Sequence, residues 1–337
     1  MKTLNVNSKY GNYSVIIDES FEKLAKRYLN AEDKYVIIYD KRVPKKYLDY
    51  ILAKSIKPLI IKVNGGEKIK TQTRYNKLIK ILTKNNISKN DILIAVGGGT
   101  ITDLVGYVAA TYKRGIRFIS FPTTTLSMID ASVGGKNGVN VGEIKNAIGS
   151  FHPPLRVLMG LDVLDSLNKR EYNDGLYEAL KTGIILNEDL FNIFKNGDPR
   201  SNIKKIITMS LESKIKIVEQ DEEEKGIRRI LNFGHTVGHA IETEKKYHLK
   251  HGEAIANGML VISKNEQFYG DLLDILRKMR CKLVTKIDYE SIEPKLKNDK
   301  KVEKGKIEVV KVKQIGKAEF VMMSFKDLKK EIVKYVI

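Results

Sequence analysis

The feature that most constrains the fold is a regular alternation of β-rich and amphipathic segments over roughly the first 120 residues. The β-rich segments are YSVIID (13–18), KYVIIYD (34–40), PLIIKV (58–63), DILIAVG (91–97) and IRFISFP (116–122). The segments between them carry apolar residues at helical spacing. Because strands that alternate with helices usually pair in parallel, the pattern predicts a largely parallel sheet covered by helices, as in nucleotide-binding α/β folds.

From about residue 160 the pattern changes to long amphipathic stretches. They predict helices over residues 169–186, 199–221, 233–246 and 251–268, then a hairpin over 305–323 and a closing helix. The Pro153-Pro154 pair breaks regular structure between the two patterns. A chain of 337 residues suits two domains. We therefore expect an α/β fold with a Rossmann-like domain over residues 1–158 and a mainly α-helical domain over residues 159–337.

The charge balance is strongly basic, with a formal net charge of +19. The lysines are scattered through nearly every segment, whereas nucleic-acid binders usually cluster them, so we expect a pocket for small anions and no nucleic-acid partner. Every apolar run falls short of the roughly 18 residues of a membrane span, and the N-terminus lacks an apolar leader. The single cysteine, Cys281, excludes intrachain disulfides and favours a cytoplasmic location.

A run of glycines, Gly97-Gly98-Gly99, follows a strongly apolar segment and precedes a helical one. Glycines at such a turn allow backbone N–H groups to approach a pyrophosphate, and the helix N-terminus adds partial positive charge. The spacing is not GxGxxG, so a simple strand-to-helix turn is the alternative interpretation. A second polar turn, FPTTTL (121–126), ends the next predicted strand, and Asp103 lies in the first helical turn. Polar turns at the ends of adjacent strands predict a ligand crevice.

A glycine-broken segment, DASVGGKNGVNVGEIKN, carries Asp130, Lys136, Lys145 and Asn146. Its composition predicts a loop or hairpin and not a helix or a long strand. Lysines presented in this way suit a carboxylate or a phosphate. A solvated loop is the alternative, and it explains the lysines but not the density of glycine.

Four of the five histidines lie between residues 235 and 251. His235 and His239 have helical i, i+4 spacing and share a face, while His251 opens the next predicted helix. Upstream, Glu178 and Lys181 share a helical face at i, i+3. Two histidines and a carboxylate form a typical catalytic site for a divalent metal. Spacing alone nominates His235 and His239, completed by His251 or a carboxylate; histidines of a helix surface or core are the alternative.

Four longer motifs, GGGTITDLVG, FPTTTLSMIDASVGGK, GLYEALK and LNFGHTVGH…HGE, occur in an order that resembles the 3-dehydroquinate synthase family. The resemblance implies a Rossmann-like NAD domain joined to a helical domain that binds Zn²⁺ or Co²⁺, in a homodimer. It implies a lyase of the shikimate pathway that converts 3-deoxy-D-arabino-heptulosonate 7-phosphate (DAHP) to 3-dehydroquinate and phosphate. Another sugar phosphate cyclase, or a glycerol-1-phosphate-type dehydrogenase on the same fold, is the alternative.

The resemblance also implies roles for individual residues. It makes Glu178, His235 and His251 the metal ligands and gives His239 a part in proton handling, which replaces the choice made from spacing alone. Arg114 matches an arginine that reaches the partner subunit's phosphate pocket. The implied substrate contacts are Asp130, Lys136, Asn146, Lys181, Lys214, Arg228, Asn232 and Lys300. The implied cofactor contacts are Asp40, Glu67, Lys70, Gly98, Gly99, Asp103, Thr123, Thr124, Lys136 and Lys145. Arg42 departs from the family pattern near the adenosine contacts, where a small polar residue is usual.

Overall fold

The computed structural model describes residues 1–142, 144–245, 248–298, 302–303 and 305–335. The chain divides into two compact units, Met1–Asn168 and Lys169–Ile337. The division falls later than the boundary expected after residue 158, because the strand Arg156–Gly160 pairs with two strands of the first unit. Within the described residues, none of the helices has the length and apolar character needed to cross a membrane.

The first unit is built on a seven-stranded sheet with the order β1-β2-β9-β6-β5-β3-β4. Its strands are β1 (Lys2–Val6), β2 (Tyr13–Asp18), β3 (Tyr35–Asp40), β4 (Leu59–Val63), β5 (Ile92–Gly97), β6 (Arg117–Pro122) and β9 (Arg156–Gly160). All neighbours pair in parallel except β1 and β2. The five strands predicted from the sequence are confirmed, and β1 and β9 are additional.

The helices of the first unit connect these strands, as the alternation predicts. They are α1 (Phe21–Tyr28), α2 (Lys45–Leu52), α3 (Gln72–Lys84) and α4 (Gly99–Thr111). The Ser20 and Thr71 side chains accept hydrogen bonds from backbone N–H groups in the first turns of α1 and α3, which sets where both helices begin. Helix α4 is buried along most of its length and packs on the central strands, so its N-terminus is held at the sheet edge.

The glycine-broken segment forms an antiparallel hairpin of β7 (Lys136–Val141) and β8 (Ile144–Phe151). Its strands lie so close at Gly138 that a Cβ there would be 2.7 Å from the Ile148 carbonyl oxygen. The hairpin also lies against α4, where the Asn137 side chain fills the position that a Cβ on Gly106 would take. The glycines therefore serve close packing, and the hairpin interpretation of this segment is correct.

The second unit is mainly helical, with a small three-stranded sheet. Its elements are α5 (Lys169–Leu186), α6 (Glu188–Asn196), α7 (Ile203–Gln220), α8 (His235–Glu244), α9 (His251–Ile262), α10 (Tyr269–Lys278), α11 (Tyr289–Lys297), β10 (Val302–Glu303), β11 (Lys306–Gln314), β12 (Lys317–Ser324) and α12 (Phe325–Val333). The hairpin and closing helix agree with prediction. Helix α9 ends at Ile262 and not at 268, because turns separate it from α10; α6, α10 and α11 are additional.

Backbone-to-backbone contacts fix the spacing of α5, α8 and α9. A Cβ on Gly252 would collide with the Asp174 carbonyl oxygen of α5, and one on Gly258 would collide with the Gly234 carbonyl oxygen before α8. A Cβ on Gly238 would lie 2.9 Å from the Ala254 carbonyl oxygen. Since packed interiors yield little to added volume, side chains at these positions would force the helices apart.

Candidate active site

Three histidines and one glutamate meet in the second unit. His235 and His251 are the first residues of α8 and α9, and Glu178 lies within α5. One ring nitrogen each of His235, His239 and His251 lies within 4.8 Å of the others. The Glu178 Oε1 atom is 3.8 Å from His235 Nε2 and 3.5 Å from His251 Nε2. Helix packing thus gathers all four residues that the histidine spacing and the resemblance pointed to.

The ionisation of this cluster is set by burial and by neighbouring charges. Burial opposes ionisation of Glu178, but Lys181, whose Nζ donates to Glu178 Oε2 at 2.5 Å, and the two histidines hold the pKa of Glu178 well below its usual value. Burial, reinforced by Lys181, lowers the pKa of His235 well below its usual value. Burial would lower the pKa of His251, yet the neighbouring carboxylates of Glu178 and Glu242 raise it to about 10.

The ligand set fits a divalent cation. Glu178 Oε1 is buried and accepts no hydrogen bond from any residue that the structure describes, so an anionic oxygen is directed at imidazole nitrogens. His235 Nδ1 is 3.1 Å from the Phe233 carbonyl oxygen and so acts as a donor there, which leaves Nε2 as a ligand atom. His251 Nδ1 faces Glu242 Oε2 at 3.8 Å, which likewise leaves its Nε2 directed at Glu178. Two imidazoles and a carboxylate suit zinc or cobalt.

Residues that the sequence interpretation did not single out hold α9 against α5. Asp174 Oδ1 accepts a hydrogen bond from Gly252 N at 2.7 Å, one helical turn before the glutamate ligand candidate. Arg170 binds Glu253 through two hydrogen bonds of 2.7 and 2.5 Å, and Glu253 Oε2 accepts from Lys250 N at 2.8 Å. A glutamate at the third helical position is the sequence signal of a capping interaction, and it could have identified Glu253.

Four predicted substrate contacts of the second unit lie on α5, on α7 and on the short helical turn before α8. Lys181 follows Glu178 by one turn of α5, and Lys214 is buried within α7. Arg228 and Asn232 belong to the short helical turn Ile227–Asn232 that leads into α8. Arg228 Nη1 donates to the Glu222 carbonyl oxygen, and Asn232 Nδ2 donates to Glu224 Oε1 at 2.9 Å. Lys300 lies outside the described residues.

The two polar turns of the first unit lie side by side at the carboxyl ends of β5 and β6. Gly98 is the N-cap of α4 and Gly99 its first residue. Thr123 N donates to the Gly97 carbonyl oxygen at 2.9 Å, which joins the turns. A Cβ on Gly98 would lie 3.2 Å from Thr124 Cγ2. The turns therefore offer backbone N–H groups, a helix N-terminus and hydroxyls in one place, which fits the pyrophosphate of a dinucleotide.

A network of hydrogen bonds joins several predicted cofactor residues. Lys70 Nζ donates to Asp103 Oδ2 at 2.7 Å and to Asn146 Oδ1 at 2.6 Å. Asn140 donates to Glu67 Oε1 at 2.7 Å and accepts from Asn146 N at 2.8 Å. Burial raises the pKa of Asp103, and Lys70 opposes that shift. Asn146, predicted as a substrate contact, thus lies with Glu67, Lys70 and Asp103; Asn140 was not anticipated.

The remaining predicted residues of the first unit differ in exposure: Asp40 is buried, whereas Arg114, Lys136 and Lys145 are exposed. Asp40 ends β3 and is bound by Arg42, as detailed below. Arg114 is exposed and has a φ of 61° in a segment where Lys113 and Gly115 also have positive φ. Lys136 and Lys145 are exposed on the β7–β8 hairpin, and Asp130 lies in the helical turn Ser127–Ala131. His152 has a structural role, since its Nε2 atom lies 3.1 Å from the Ile116 carbonyl oxygen.

Solved structures share the fold. A 2-deoxy-scyllo-inosose synthase crystallised with carbaglucose-6-phosphate, NAD⁺ and Co²⁺ superposes with a TM-score of 0.87 at 24% identity, covering 100% of both chains. A 2-epi-5-epi-valiolone synthase from Streptomyces hygroscopicus subsp. jinggangensis, with NAD⁺ and Zn²⁺ bound, gives 0.87 at 23% identity over 98% of each chain. At these identities the likeness establishes the fold, and it confirms the predicted α/β architecture.

Relatives found by sequence have a higher identity to this chain than the solved structures above. The family model described as 3-dehydroquinate synthase N-terminal matches residues 60–174, and the one described as 3-dehydroquinate synthase C-terminal matches residues 175–302. A 3-dehydroquinate synthase from Picrophilus torridus is 37% identical over 308 residues, covering 88% of each chain. One from Streptococcus mutans is 36% identical over 353 residues, covering 98% of this chain and 99% of the relative. The chain belongs to the 3-dehydroquinate synthase family.

Proposed function

We propose that the chain is a lyase that converts DAHP to 3-dehydroquinate and phosphate in the shikimate pathway, with bound NAD and a divalent metal. The observation that carries the proposal is the cluster of His235, His251 and Glu178, in which a buried carboxylate oxygen lies 3.5 to 3.8 Å from two imidazole nitrogens. Membership of the family supplies the reaction. The glycine turn at the start of α4 supports a cofactor site in the first unit.

In the proposed metal site, Glu178, His235 and His251 bind Zn²⁺ or Co²⁺. The metal, when bound, supplies Lewis acidity toward a substrate hydroxyl. Lys181 keeps Glu178 ionised and so keeps it available as a ligand. His239 is the most exposed of the three clustered histidines, and we assign it to taking or relaying the proton of that hydroxyl, directly or through water.

In the proposed cofactor site, Gly98 and Gly99 bind the pyrophosphate at the N-terminus of α4. NAD, when bound, supplies reversible oxidation of a substrate hydroxyl, so that no net redox change is required. Lys70 orients Asp103 through their 2.7 Å hydrogen bond, which fixes the polar wall beside the glycine turn. The further proposed contacts are Asp40, Glu67, Thr123, Thr124, Lys136 and Lys145.

In the proposed substrate site, cationic side chains neutralise the carboxylate and the phosphate of DAHP and hold a productive conformer. The residues assigned to it are Asp130, Lys136, Asn146, Lys181, Lys214, Arg228 and Asn232, together with Lys300. Arg114 is exposed, and we assign it to the phosphate pocket of the partner subunit in a homodimer. The single cysteine supports a cytoplasmic location for the enzyme.

The proposal is tested by phosphate release from DAHP with metal-stripped protein, adding NAD and zinc separately and together. Release only when both are present, with dehydroquinate as product and no net NADH, is the expected result. Absence of release in the presence of both would overturn the proposal. Steady formation of NADH from glycerol phosphate would instead move the chain to the dehydrogenases.

The second candidate is another sugar phosphate cyclase, which the superposition on 2-deoxy-scyllo-inosose synthase favours. The two reactions differ in that DAHP carries a carboxylate, which the cationic set Lys181, Lys214 and Arg228 is suited to bind. Turnover of DAHP is therefore compared with that of glucose 6-phosphate and sedoheptulose 7-phosphate. Preference for either of these sugar phosphates, which lack a carboxylate, would replace the dehydroquinate assignment. The metal and NAD assignments would remain in place.

A further inference from the structure

The end of β3 places a charged pair beside the dinucleotide turn. Asp40 is the last residue of β3, which pairs in parallel with β5, the strand that leads into the glycine turn before α4. The two strand ends are therefore neighbours on one edge of the sheet. In dinucleotide-binding α/β folds, an acidic residue near the pyrophosphate turn accepts the ribose 2′-hydroxyl of NAD, whereas a nearby arginine accommodates the 2′-phosphate of NADP.

The carboxylate of Asp40 is bound by Arg42 of its own loop and by Gly65 of the loop that follows β4. Arg42 donates to Asp40 Oδ2 from Nη2 at 2.7 Å and from Nε at 3.1 Å. The backbone N–H groups of Arg42 and Gly65 donate to Oδ1 at 3.0 and 3.1 Å. The side chain of Asp40 is 4% exposed and that of Arg42 is 54% exposed. The guanidinium thus covers a buried carboxylate from the solvent side and neutralises its charge.

The surroundings of the pair favour an anion. Gly65 closes the loop so tightly that a Cβ there would collide with both Asp40 and Arg42. Lys41, Lys45 and Lys46 follow directly in the sequence and are exposed, so the local field is positive. An unpaired aspartate would repel a 2′-phosphate, but this one is already neutralised. The guanidinium is more than half exposed, so its outer edge can donate to a phosphate while Nε and Nη2 remain on Asp40.

We propose that Arg42 makes the cofactor site accept a ribose 2′-phosphate, so that the protein binds NADP as well as NAD. The inference rests on the proposed function, because it takes the cofactor site of the first unit as given. NAD uses Asp40 as acceptor for the ribose hydroxyls after Arg42 moves aside. NADP uses Arg42 as donor to the phosphate. Arg42 is then a determinant of cofactor specificity.

The test is a calorimetric titration of the full-length protein with NAD⁺ and with NADP⁺. The wild type is expected to bind NADP⁺ within about tenfold of NAD⁺. Arg42→Ser is expected to weaken NADP⁺ binding by about 10- to 100-fold, the usual effect of losing a charge-assisted hydrogen-bonded pair, and to change NAD⁺ binding by less than about threefold. Lys41→Ser, which removes an adjacent exposed cation that contributes only to the local field, is the matched control and should lower the affinity for NADP⁺ relative to NAD⁺ by less than about threefold.

Arg42→Lys is a second variant, which keeps the charge but loses the planar guanidinium. Its affinity for NADP⁺ should lie between that of the wild type and that of Arg42→Ser. If the wild type binds NAD⁺ but not NADP⁺, the inference is wrong and the proposed function stands. If it binds neither dinucleotide, the cofactor part of the proposed function fails. Equal weakening of both dinucleotides by Arg42→Ser would place Arg42 on their common adenosine and also overturn the inference.

Discussion

In the first unit, the carboxylates of Asp40 and Asp103 in the predicted cofactor site are bound by cations of the same unit, whereas in the second unit the buried carboxylate of Glu178 is directed at imidazoles. Asp103 is bound by Lys70, and Asp40 by Arg42. Glu178 is bound by Lys181 through one oxygen only; its other oxygen accepts no hydrogen bond within the ranges that the structure describes. The first site therefore balances its charges internally, and the second is arranged for an additional cation.

The two arrangements predict different responses to a ligand. A buried carboxylate oxygen without a donor is costly, so a cation that binds it gains that energy on binding. A carboxylate that already has its cation gains little, and an incoming ligand must compete for the same groups. We therefore expect single substitutions to affect metal binding more than dinucleotide binding.

The largest expected effect is that of Glu178→Gln, which keeps the size of the side chain and removes its charge. A Lewis acid contributes several kcal/mol to catalysis, and each ~1.4 kcal/mol is a factor of ten, so kcat should fall about a thousandfold. Zinc affinity, measured by competition with a chelator, should fall in parallel. Glu171→Gln is the matched control, because Glu171 lies in the first turn of the same helix and forms an ion pair with the Lys250 side chain at 3.5 Å.

Unchanged zinc affinity in Glu178→Gln would contradict the proposed difference between the two units. It would mean that the three histidines bind the metal without the carboxylate, a set that their mutual distance of 4.8 Å or less also permits. The orphaned oxygen would then need another explanation, and the ligand assignment implied by the resemblance would be wrong.

His239→Asn separates metal binding from proton handling within the second unit. If His239 handles a proton, kcat should fall about a hundredfold, within the usual range for loss of a general acid or base, while zinc affinity stays constant. If it is instead a ligand, zinc affinity falls with kcat. Rate measurements at saturating zinc, combined with the chelator titration, distinguish the two roles.

Much of the fold follows from sequence periodicity, because β2 to β6 are apolar runs with helical segments between them. The strands β1 and β9 were not predicted because KTLNV and RVLMG are short runs of five residues. Strand β9 pairs with β2, far away in the sequence. Such pairing is a tertiary property that no local pattern contains.

The site was predictable where a helix or turn carries several of its residues. The spacing of His235 and His239 predicts that they share a helical face, and the glycine run predicts the start of α4. The contact of Asp174 with Gly252 and that of Arg170 with Glu253 were not predictable, since they depend on how α5 and α9 pack. The Asp40–Arg42 pair is local and could have been found from the sequence.

Lys70→Met tests the internal balance of the first unit. It leaves Asp103 partly buried without its cation, which should lower the free energy of unfolding by about 2 kcal/mol at pH 7, less than a fully buried pair would lose. Burial raises the pKa of Asp103 and Lys70 opposes this, so the variant's pKa should be higher still. The folded variant then binds a proton more readily than the unfolded chain, and its deficit should shrink as pH falls through that pKa.

Urea unfolding of Lys70→Met at several pH values measures this deficit. Lys77→Met removes an exposed lysine of the neighbouring α3 and is the control, for which little change is expected. A deficit that stays constant from pH 7 to pH 4 would show that lost packing, and not the unpaired carboxylate, causes the destabilisation.

The smallest expected effect is that of Gly98→Ala, which separates a glycine needed by the ligand from one needed by the fold. The φ of Gly98 is −74°, so alanine fits the backbone, and its Cβ would lie 3.2 Å from the Thr124 methyl group. The Thr124 side chain must therefore shift by a few tenths of an ångström, and a small loss of stability is expected. If a pyrophosphate approaches this backbone, the added methyl group occupies part of its space, and NAD affinity should fall about tenfold, or ~1.4 kcal/mol.

Gly106→Ala is the opposite control, because its Cβ would collide with Asn137 and should lower stability. Loss of stability without loss of NAD affinity in Gly98→Ala would make this turn a packing feature and remove the pyrophosphate from it.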